Sequence, residues 1–465
     1  MKKFLSKFIG DRQFYKMVLT VAVPIMIQNG ITNFVGLLDN IMVGSVGTEQ
    51  MTGVAIVNQL LMVFNLSIFG AISGPGIFGA QFYGSGDREG MRNTFRFKVI
   101  ICAIIVLLGI GIFLGWGEQL IGLYLQGEGD AAAIEITLHY AKQYLLVMVF
   151  GLLPFGVEQV YTSSLRESGE TMVPMVAGIL AVAVNFVGNL VLIFGLLGFP
   201  ALGVVGAAIA TVISRVVQAF VVIIWTHRHS AKMYFIEGAY KTLRIPMSLV
   251  RQIVKKGFPL MMNEILWSAG MAMLSQCYSV KGLNTVAALN INNTISNLFN
   301  VVFIALGSAV SIIVGQLLGA DKMEEAVDTD NKLIAFTVMS CFGMGGLLFL
   351  CAPLFPMVYN TSDAVKELAT NFIRVSAVCM PLYGFTHATY FTLRSGGKTV
   401  ITFLFDSFFV WTVCIPVAYV LSRYSPLTPV VLYFTCQSMD WIKCVIGFVL
   451  VKKKVWVKRL VANAA

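Results

Sequence analysis

Charged side chains are scarce in this chain, and their scarcity excludes most classes of protein. Only 12% of the 465 residues are Asp, Glu, Lys or Arg, whereas 57% are apolar. The mean hydropathy is +0.81. A soluble protein needs more polar surface than this composition offers. The apolar residues form charge-free runs far longer than the alternating strands of a barrel. The composition therefore predicts an integral membrane protein built from helices.

Motifs for catalysis, cofactors and ATP are also missing. There is no Gly-x-x-x-x-Gly-Lys-[Ser/Thr] phosphate loop, which argues against ATP-driven transport, and no His-Glu-x-x-His. No nucleophile–base pair stands out. We therefore expect no catalytic site and no cofactor. No cysteine pair has metal-ligand spacing or a loop position suited to a disulfide, so we interpret the eight cysteines as small apolar fillers. They are Cys102, Cys277, Cys341, Cys351, Cys379, Cys414, Cys436 and Cys444.

Charges and turn residues divide the chain into twelve predicted spans, each long enough to cross a bilayer. The predicted spans lie near 16–40, 50–76, 97–117, 141–164, 172–197, 203–226, 250–280, 283–314, 332–357, 368–393, 399–421 and 428–451. With the N-terminus inside, 26 Lys and Arg residues fall in cytoplasmic segments and five in the opposite loops. This asymmetry predicts a multi-pass plasma membrane protein with both termini in the cytoplasm. It also accounts for the net charge of +10, so we expect no nucleic acid partner. The N-terminus is too charged for a cleaved signal sequence.

The two halves of the chain repeat each other. At an offset of 235 residues, polar, glycine and proline positions coincide, and after the third span the offset becomes 228. The matches include Pro24/Pro259, Asn58/Asn293, Gln81/Gln316, Gly84/Gly319, Arg166/Arg394 and Arg215/Lys443. Both halves start on the same side, which indicates a parallel repeat about an axis along the membrane normal. We predict a bundle over 1–226, a cytoplasmic linker over 227–249, and a second bundle with a basic tail over 250–465.

Several segments resemble the multidrug and toxic compound extrusion (MATE) transporters. They are LLDNIMVGSVGTEQMTGVA (37–55), GAQFYGSGDREGMRN (79–93), LRESGETMVPM (165–175), VNFVGNLVLIFG (184–195), GQLLGADKMEEAVD (315–328) and LRSGGKTVITF (393–403). The resemblance spans essentially the whole chain. It implies an all-α membrane protein with twelve transmembrane helices in two pseudo-symmetric six-helix bundles. It also implies efflux coupled to Na⁺ or H⁺, with an Asp on helix 1 and a polar pair on helix 5 binding the ion.

Five polar residues of the N-terminal half are predicted to converge at similar depth. Lys16 and Asp39 bracket 22 uncharged residues, so Asp39 lies near the outer end of helix 1. An ionised carboxylate in lipid is costly, which favours a position facing protein and water. Helix geometry places the other four at similar depth on helices 2, 5 and 6. The predicted coupling-ion site is Asp39, Asn58, Asn185, Asn189 and Thr211. Alternatively, Asp39 lies among headgroups and the other residues are hydrogen-bonding glue between helices.

The C-terminal half contributes a predicted substrate cavity. Glu264 lies within helix 7, where a carboxylate could carry a proton or face a cationic substrate. The helix 8 segment NINNTISNLFN carries amides at a 3, 4, 3 spacing, which places them on one face. The predicted cavity residues are Glu264, Asn290, Asn293, Asn297 and Asn300. Uncharged amides beside Met, Phe and Trp suit amphipathic organic molecules. The alternative interpretation is packing between helices.

Two prolines and several intramembrane charges complete the candidates. Pro24 and Pro259 are repeat mates that each remove a backbone donor, so we expect hinges there. Asp440 and Lys443 are spaced i, i+3 and are expected to pair. Asp406 and Arg215 have no partner nearby in sequence, and no role is assigned to them.

The sequence thus favours a secondary active antiporter that exports cationic or amphipathic organic compounds, such as drugs and toxins, in exchange for Na⁺ or H⁺. We expect a monomer whose partners are small organic substrates and the lipid bilayer. A lipid-linked precursor flippase of the same superfamily is the first alternative, but it would need a strongly cationic cavity. An intramembrane enzyme is the second alternative.

Overall fold

The computed structural model describes residues 8–125, 131–359 and 361–461, apart from the side chains of 35, 37, 38, 40, 41 and 131. The basic residues 1–7, part of the predicted cytoplasmic arm, lie outside these ranges. Nearly all of the described chain is helical, and it contains no strand. This confirms the all-α fold class.

The described ranges contain twelve long helical segments in succession, as the charge-free runs predict. They are α1 (Arg12–Gly44), α2 (Thr48–Ser85), α3 (Arg88–Tyr124), α4 (Ala131–Phe150 and Leu152–Glu167), α5 (Met172–Phe194), α6 (Gly203–Arg228), α7 (Met247–Ser279), α8 (Leu283–Gly319), α9 (Met323–Cys351), α10 (Asp363–Ser395), α11 (Thr399–Tyr424) and α12 (Pro429–Lys452). Nine are long and apolar enough to cross a membrane, and the bent pair of α4 makes ten. In α7 and α10, polar residues such as Glu264 and His387 interrupt the apolar stretches.

Some helices depart from the predicted boundaries. α3 begins at Arg88 and α9 at Met323, each nine residues before the predicted span. Backbone hydrogen bonding continues past the edge of the apolar run, so charge marks where a span ends but not where a helix ends. α4 is bent by 45° at Gly151. α11 contains two π-helical stretches, Leu404–Phe408 and Val410–Cys414.

Packing divides the chain into two compact units. The N-terminal unit contains Ile27–Gly79 and Arg88–Arg251, and the C-terminal unit contains residues up to Met26, Ala80–Asp87 and the chain from Gln252 onward. The first part of α1 and the last turns of α2 therefore belong to the C-terminal unit. The predicted division at the 227–249 linker stays a prediction.

In the C-terminal unit, α2 and α8 meet through small residues. A Cβ on Gly84 would lie 1.9 Å from the carbonyl oxygen of Gln316, and one on Gly319 would lie 1.9 Å from that of Gln81. Ala80 meets Gly315 in the same crossing. Small residues four apart allow helix backbones to approach this closely. The contact is reciprocal because both pairs are repeat mates at the offset of 235.

The segment after α12 folds back onto the same unit. Trp456 is 1% exposed. The Gln81 amide is fully buried and donates to the carbonyls of Ser395, at 2.9 Å, and Lys458, at 3.3 Å. Its carbonyl accepts from the Leu460 backbone N–H at 2.7 Å. A side chain from α2 thus satisfies backbone groups that belong to the tail.

In the N-terminal unit, the connector after α6 is packed rather than free. Arg96 of α3 donates to the carbonyls of Gly238 and Ala239 at 3.0 and 2.8 Å. The Tyr240 hydroxyl lies 2.7 Å from that of Tyr161 on α4. Phe235 is 1% exposed. These contacts tie the predicted linker to α3 and α4.

Candidate functional site

A cavity of about 290 Å³ lies inside the N-terminal unit, where the sequence predicts the ion site. Of the five predicted residues, Asp39, Asn58, Asn189 and Thr211 line it. Asn185 lies directly behind, hydrogen-bonded to Asn189 and Thr211. The structure therefore brings the five predicted side chains together, and their role as an ion site stays a prediction.

A chain of hydrogen bonds connects helices α1, α5 and α6 at this cavity. Asn189 donates from its amide to the Asp39 carboxylate at 2.6 Å and to the Asn185 carbonyl at 3.3 Å. Asn185 in turn donates to the Thr211 hydroxyl at 3.2 Å. Thr211 donates to the Ala207 carbonyl. The i, i+4 spacing of the two asparagines on α5 makes this relay possible.

The relay leaves an acceptor without a donor. Asn189 is 1% exposed, and its Oδ1 has no hydrogen-bond partner in the described structure, since the bonds to Asp39 and Asn185 both use the amide nitrogen. Buried polar atoms are almost always hydrogen-bonded, so an orphan oxygen is a place where a cation or a proton donor fits. Carboxylate, amide and hydroxyl oxygens are the donor set of a hard cation. The residues present therefore fit Na⁺, and the Asp39 carboxylate also fits H⁺.

Two further polar side chains line this cavity: Tyr144, which was not predicted, and Arg215, to which the sequence assigned no role. The Tyr144 hydroxyl donates to the Asn58 carbonyl at 3.5 Å, a long hydrogen bond. Arg215 lies one turn after Thr211 on α6. Tyr144 could have been found from its depth on α4. The position of Arg215 beside the break in α4 depends on tertiary packing.

A second cavity of about 310 Å³ lies inside the C-terminal unit. Three of the predicted amides, Asn293, Asn297 and Asn300, line it. Aromatic and hydroxyl groups, including Trp267 and Tyr383, form much of the remaining wall. Such a wall suits an amphipathic organic molecule, because it offers both apolar faces and hydrogen-bonding groups.

Two predicted cavity residues are not among those lining this space. Asn290 is exposed on α8. Glu264 accepts a hydrogen bond from the Tyr390 hydroxyl at 3.3 Å. Their assignment to a substrate cavity stays a prediction. Asn292 lies off the 3, 4, 3 stripe and was not predicted, yet it is 1% exposed and hydrogen-bonded to Tyr433 and Ser376.

A buried ion cluster borders the second cavity. The Lys443 ammonium lies 3.0 Å from the Asp406 carboxylate and 4.0 Å from that of Asp440. The predicted Asp440–Lys443 pair is present, but Asp406 on α11 is the closer partner. Asn263 donates to Asp406 at 3.1 Å and accepts from the Ser407 N–H at 3.2 Å. The π-helical turn at Asp406 thus has a partner on α7.

Both predicted hinge prolines lie inside continuous helices, Pro24 in α1 and Pro259 in α7. In α1, residues up to Met26 belong to one unit and those from Ile27 onward to the other. The change falls about one turn after Pro24. Their role as hinges stays a prediction.

Comparison with known proteins identifies the family. The MatE family model matches residues 24–191 and 259–420. The chain is 23% identical over 414 residues to "Probable multidrug resistance protein NorM" of Thermotoga maritima, covering 89% of this chain and 86% of the relative. It is 25% identical over 414 residues to "Probable multidrug resistance protein YoeA" of Bacillus subtilis, covering 87% and 86%.

A solved structure has the same fold. It is titled "Outward-facing conformation of a multidrug resistance MATE family transporter of the MOP superfamily", with a TM-score of 0.85 and 20% identity. The match covers 96% of this chain and 97% of the other. Two family-model matches in the two halves agree with the internal repeat. The chain therefore belongs to the MATE family, and it is a membrane transporter and not an enzyme.

Proposed function

We propose that this transporter is a secondary active antiporter that exports cationic or amphipathic organic compounds in exchange for Na⁺ or H⁺. The names of its relatives, which refer to multidrug resistance, support the substrate class. The observation that carries the proposal is the relay from Asp39 through Asn189 and Asn185 to Thr211, with its orphan oxygen. A small cation bound by the Asp39 carboxylate and the Asn189 Oδ1 would change the net charge of the N-terminal unit.

In the proposed cycle the coupling ion enters the N-terminal cavity from outside. Na⁺ would bind between the Asp39 carboxylate and the Asn189 Oδ1, whereas H⁺ would protonate Asp39 itself. Either ion cancels the negative charge that holds the Asn189 amide at 2.6 Å. The hydrogen-bond relay then loosens between α1 and α5, and α1 is free to bend at Pro24. The substrate site reshapes and the organic molecule leaves on the outer side.

The C-terminal cavity supports the organic substrate side of the proposal. Its amides, aromatic rings and the acids Asp406 and Asp440 suit a molecule with a positive charge and an apolar body. A volume of about 310 Å³ is at the lower end for a drug-sized ligand. The protein is proposed to act as a monomer in the plasma membrane, with both termini in the cytoplasm.

Asp39→Asn tests the coupling assignment, because it keeps the side-chain shape and removes the negative charge. Cells or proteoliposomes with this variant should lose export of a fluorescent cationic dye against its gradient. Dye binding to the purified protein should be retained.

Asp328→Asn is the matched control, since Asp328 lies exposed on α9. That variant should export at the wild-type rate. Export by Asp39→Asn at the same rate would refute the proposed coupling site.

A further inference from the structure

The Arg215 guanidinium is a half-buried cation that has no carboxylate partner within 4.0 Å among the described residues. It lines the same cavity as Asp39. Its Nη1 donates to the carbonyl of Gly151 at 3.3 Å, and its Cζ lies 5.1 Å from the ring centroid of Phe155. Within the described chain it forms no ion pair at 4.0 Å or less. An arginine has five N–H donors, so most of this group is free to bind something else.

A second unpaired charge lies on α4 close to Arg215. Glu158 is 2% exposed, and in the described part of the molecule no cation lies within 4.0 Å of it. Its carboxylate accepts only from neutral donors: Thr162 at 2.6 Å, Gln159 at 2.9 Å and Gln218 at 3.1 Å. The charge of Glu158 interacts electrostatically with the Arg215 guanidinium. Glu158 lies three residues after Phe155, against which the guanidinium rests, and these two side chains share a face of α4.

Arg215 therefore shares a cavity wall with Asp39 and lies close to Glu158, and among the described residues it forms an ion pair with neither carboxylate. Unpaired charges inside a membrane protein are costly, and they are usually functional. One cation next to two acids can neutralise only one of them at a time. The rest of the cavity wall offers no other cation that could replace it.

The repeat shows how a paired version of this position looks. Lys443, the mate of Arg215, lies 3.0 Å from Asp406 and 4.0 Å from Asp440. Two carboxylates therefore compensate the positive charge of Lys443. At the offset of 228, Asp406 corresponds to Gly178 and Asp440 to Val212, so the N-terminal half has no acid at either position. The N-terminal unit keeps the cation of this position and lacks the acids that would fix it.

We propose that Arg215 is a tethered counter-ion that moves between Asp39 and Glu158 during transport and competes with the coupling ion for Asp39. This inference rests on the proposed coupling function of Asp39. From the position described above, paired with neither acid, Arg215 moves onto Asp39 in one state of the cycle and neutralises it. When Na⁺ or H⁺ arrives, Arg215 is displaced onto Glu158, so binding of the ion is always accompanied by a charge movement along α6 and α4.

The titratable and charged groups around Arg215 are few. Asp39 comes from α1, and Tyr144 and Glu158 come from α4. Arg166, near the end of α4, acts on Glu158 from the other side. α2 and α5 present the amides of Asn58, Asn185 and Asn189, which do not titrate. Because Na⁺ and H⁺ are both proposed to act at Asp39, ion binding is measured as a Na⁺ titration at fixed pH and as an acid titration without Na⁺.

The test measures ion affinity of the purified full-length protein, using radioactive Na⁺ binding and proton uptake with an indicator dye. Arg215→Gln removes the competitor and should tighten binding about tenfold, which corresponds to about 1.4 kcal/mol. Glu158→Gln removes the alternative partner and should weaken binding by a similar factor. Arg215→Lys keeps the cation and should bind near the wild-type affinity. Arg423→Gln, an exposed arginine stacked on Tyr419, is the control and should change nothing.

A double variant separates the proposed exchange from a fixed electrostatic field. If Arg215 moves between the acids, Glu158→Gln acts through Arg215, so adding it to Arg215→Gln should change affinity less than about twofold. A fixed field would instead give the full tenfold weakening in both backgrounds. That additive result, or an unchanged affinity in Arg215→Gln, would overturn the inference.

Asp39→Asn distinguishes this inference from the proposed function. If Asp39→Asn loses ion binding while the Arg215 variants behave like wild type, only the tethered counter-ion is wrong. If Asp39→Asn binds Na⁺ and H⁺ as the wild type does, the coupling assignment fails first.

Discussion

The crossing of α2 and α8 leads to a prediction whose size follows from the geometry. Alanine at position 84 would place its Cβ 1.9 Å from the Gln316 carbonyl oxygen, whereas real Cβ atoms essentially never come closer than 3.0 Å. The helices would have to separate locally by about 1.1 Å. The atom in the way is backbone and cannot rotate aside. Overpacking of this kind costs about 1–3 kcal/mol, and the higher helix propensity of alanine offsets about 1 kcal/mol.

We therefore expect Gly84→Ala to lower the free energy of unfolding by up to about 2 kcal/mol. Gly319→Ala should do the same, since its Cβ would meet the Gln81 carbonyl at the same distance. The double variant should cost less than the sum, because one separation of the two helices accommodates both methyl groups. Equilibrium unfolding in mixed micelles of mild detergent and dodecyl sulfate measures all three.

Gly343→Ala is the matched control, because a Cβ there would meet nothing within 4 Å. It should be neutral or slightly stabilising. The reasoning about the crossing is refuted if Gly84→Ala unfolds like this control. Full additivity in the double variant would show that the two glycines do not report on one shared contact.

Two further substitutions test buried polar contacts of the C-terminal unit. Lys443→Met should destabilise the protein by about 3–5 kcal/mol, because it leaves Asp406 and Asp440 unpaired. Adding Asp406→Asn should recover much of this loss in thermal unfolding. Wild-type stability of the single variant would contradict this prediction. Gln81→Leu should lower the free energy of unfolding by about 1–3 kcal/mol, since it removes the hydrogen bonds that hold the tail. It should also speed tryptic cleavage after Lys458. Unchanged cleavage would mean that Trp456 alone anchors the tail.

The helices were predictable because lipid imposes a simple rule on composition. A span must be long, apolar and helical, so charge-free runs show where spans lie. The rule says nothing about helix that extends beyond the apolar run. Met323 begins α9 ahead of its predicted span, and the charged residues there are still packed, as the buried Asp330 shows with its hydrogen bond from Thr392.

The repeat carried more information than the helix count. Gln81/Gln316 and Gly84/Gly319 matched at one offset, and these residues meet each other reciprocally at the α2–α8 crossing. Such a reciprocal contact constrains both repeats in the same way, because each residue packs against the mate of its neighbour. The sequence showed the identity of these positions, but it could not show that they touch.

Depth along a helix was enough to group the polar residues of the N-terminal cavity. It places Asp39 and Asn189 at one level, where they bond at 2.6 Å. Depth along a helix could not predict contacts that depend on a bend in a helix or on which helices pack side by side. Arg215 contacts Gly151 at the break in α4, and Asp406 reaches Lys443 across 37 residues of sequence. Spacing arguments favour near neighbours, so they proposed Asp440 first.

The burial of Gln81 has a consequence for biosynthesis. This glutamine is made early, yet the backbone groups at 458 and 460 that complete its hydrogen bonding are translated some 379 residues later. At typical elongation rates the ribosome needs roughly 20–75 s to cover that distance. During this interval the α2 amide must rely on water, lipid headgroups or the insertion machinery. A nascent chain that stalls before the tail emerges would keep this amide without its tail partners.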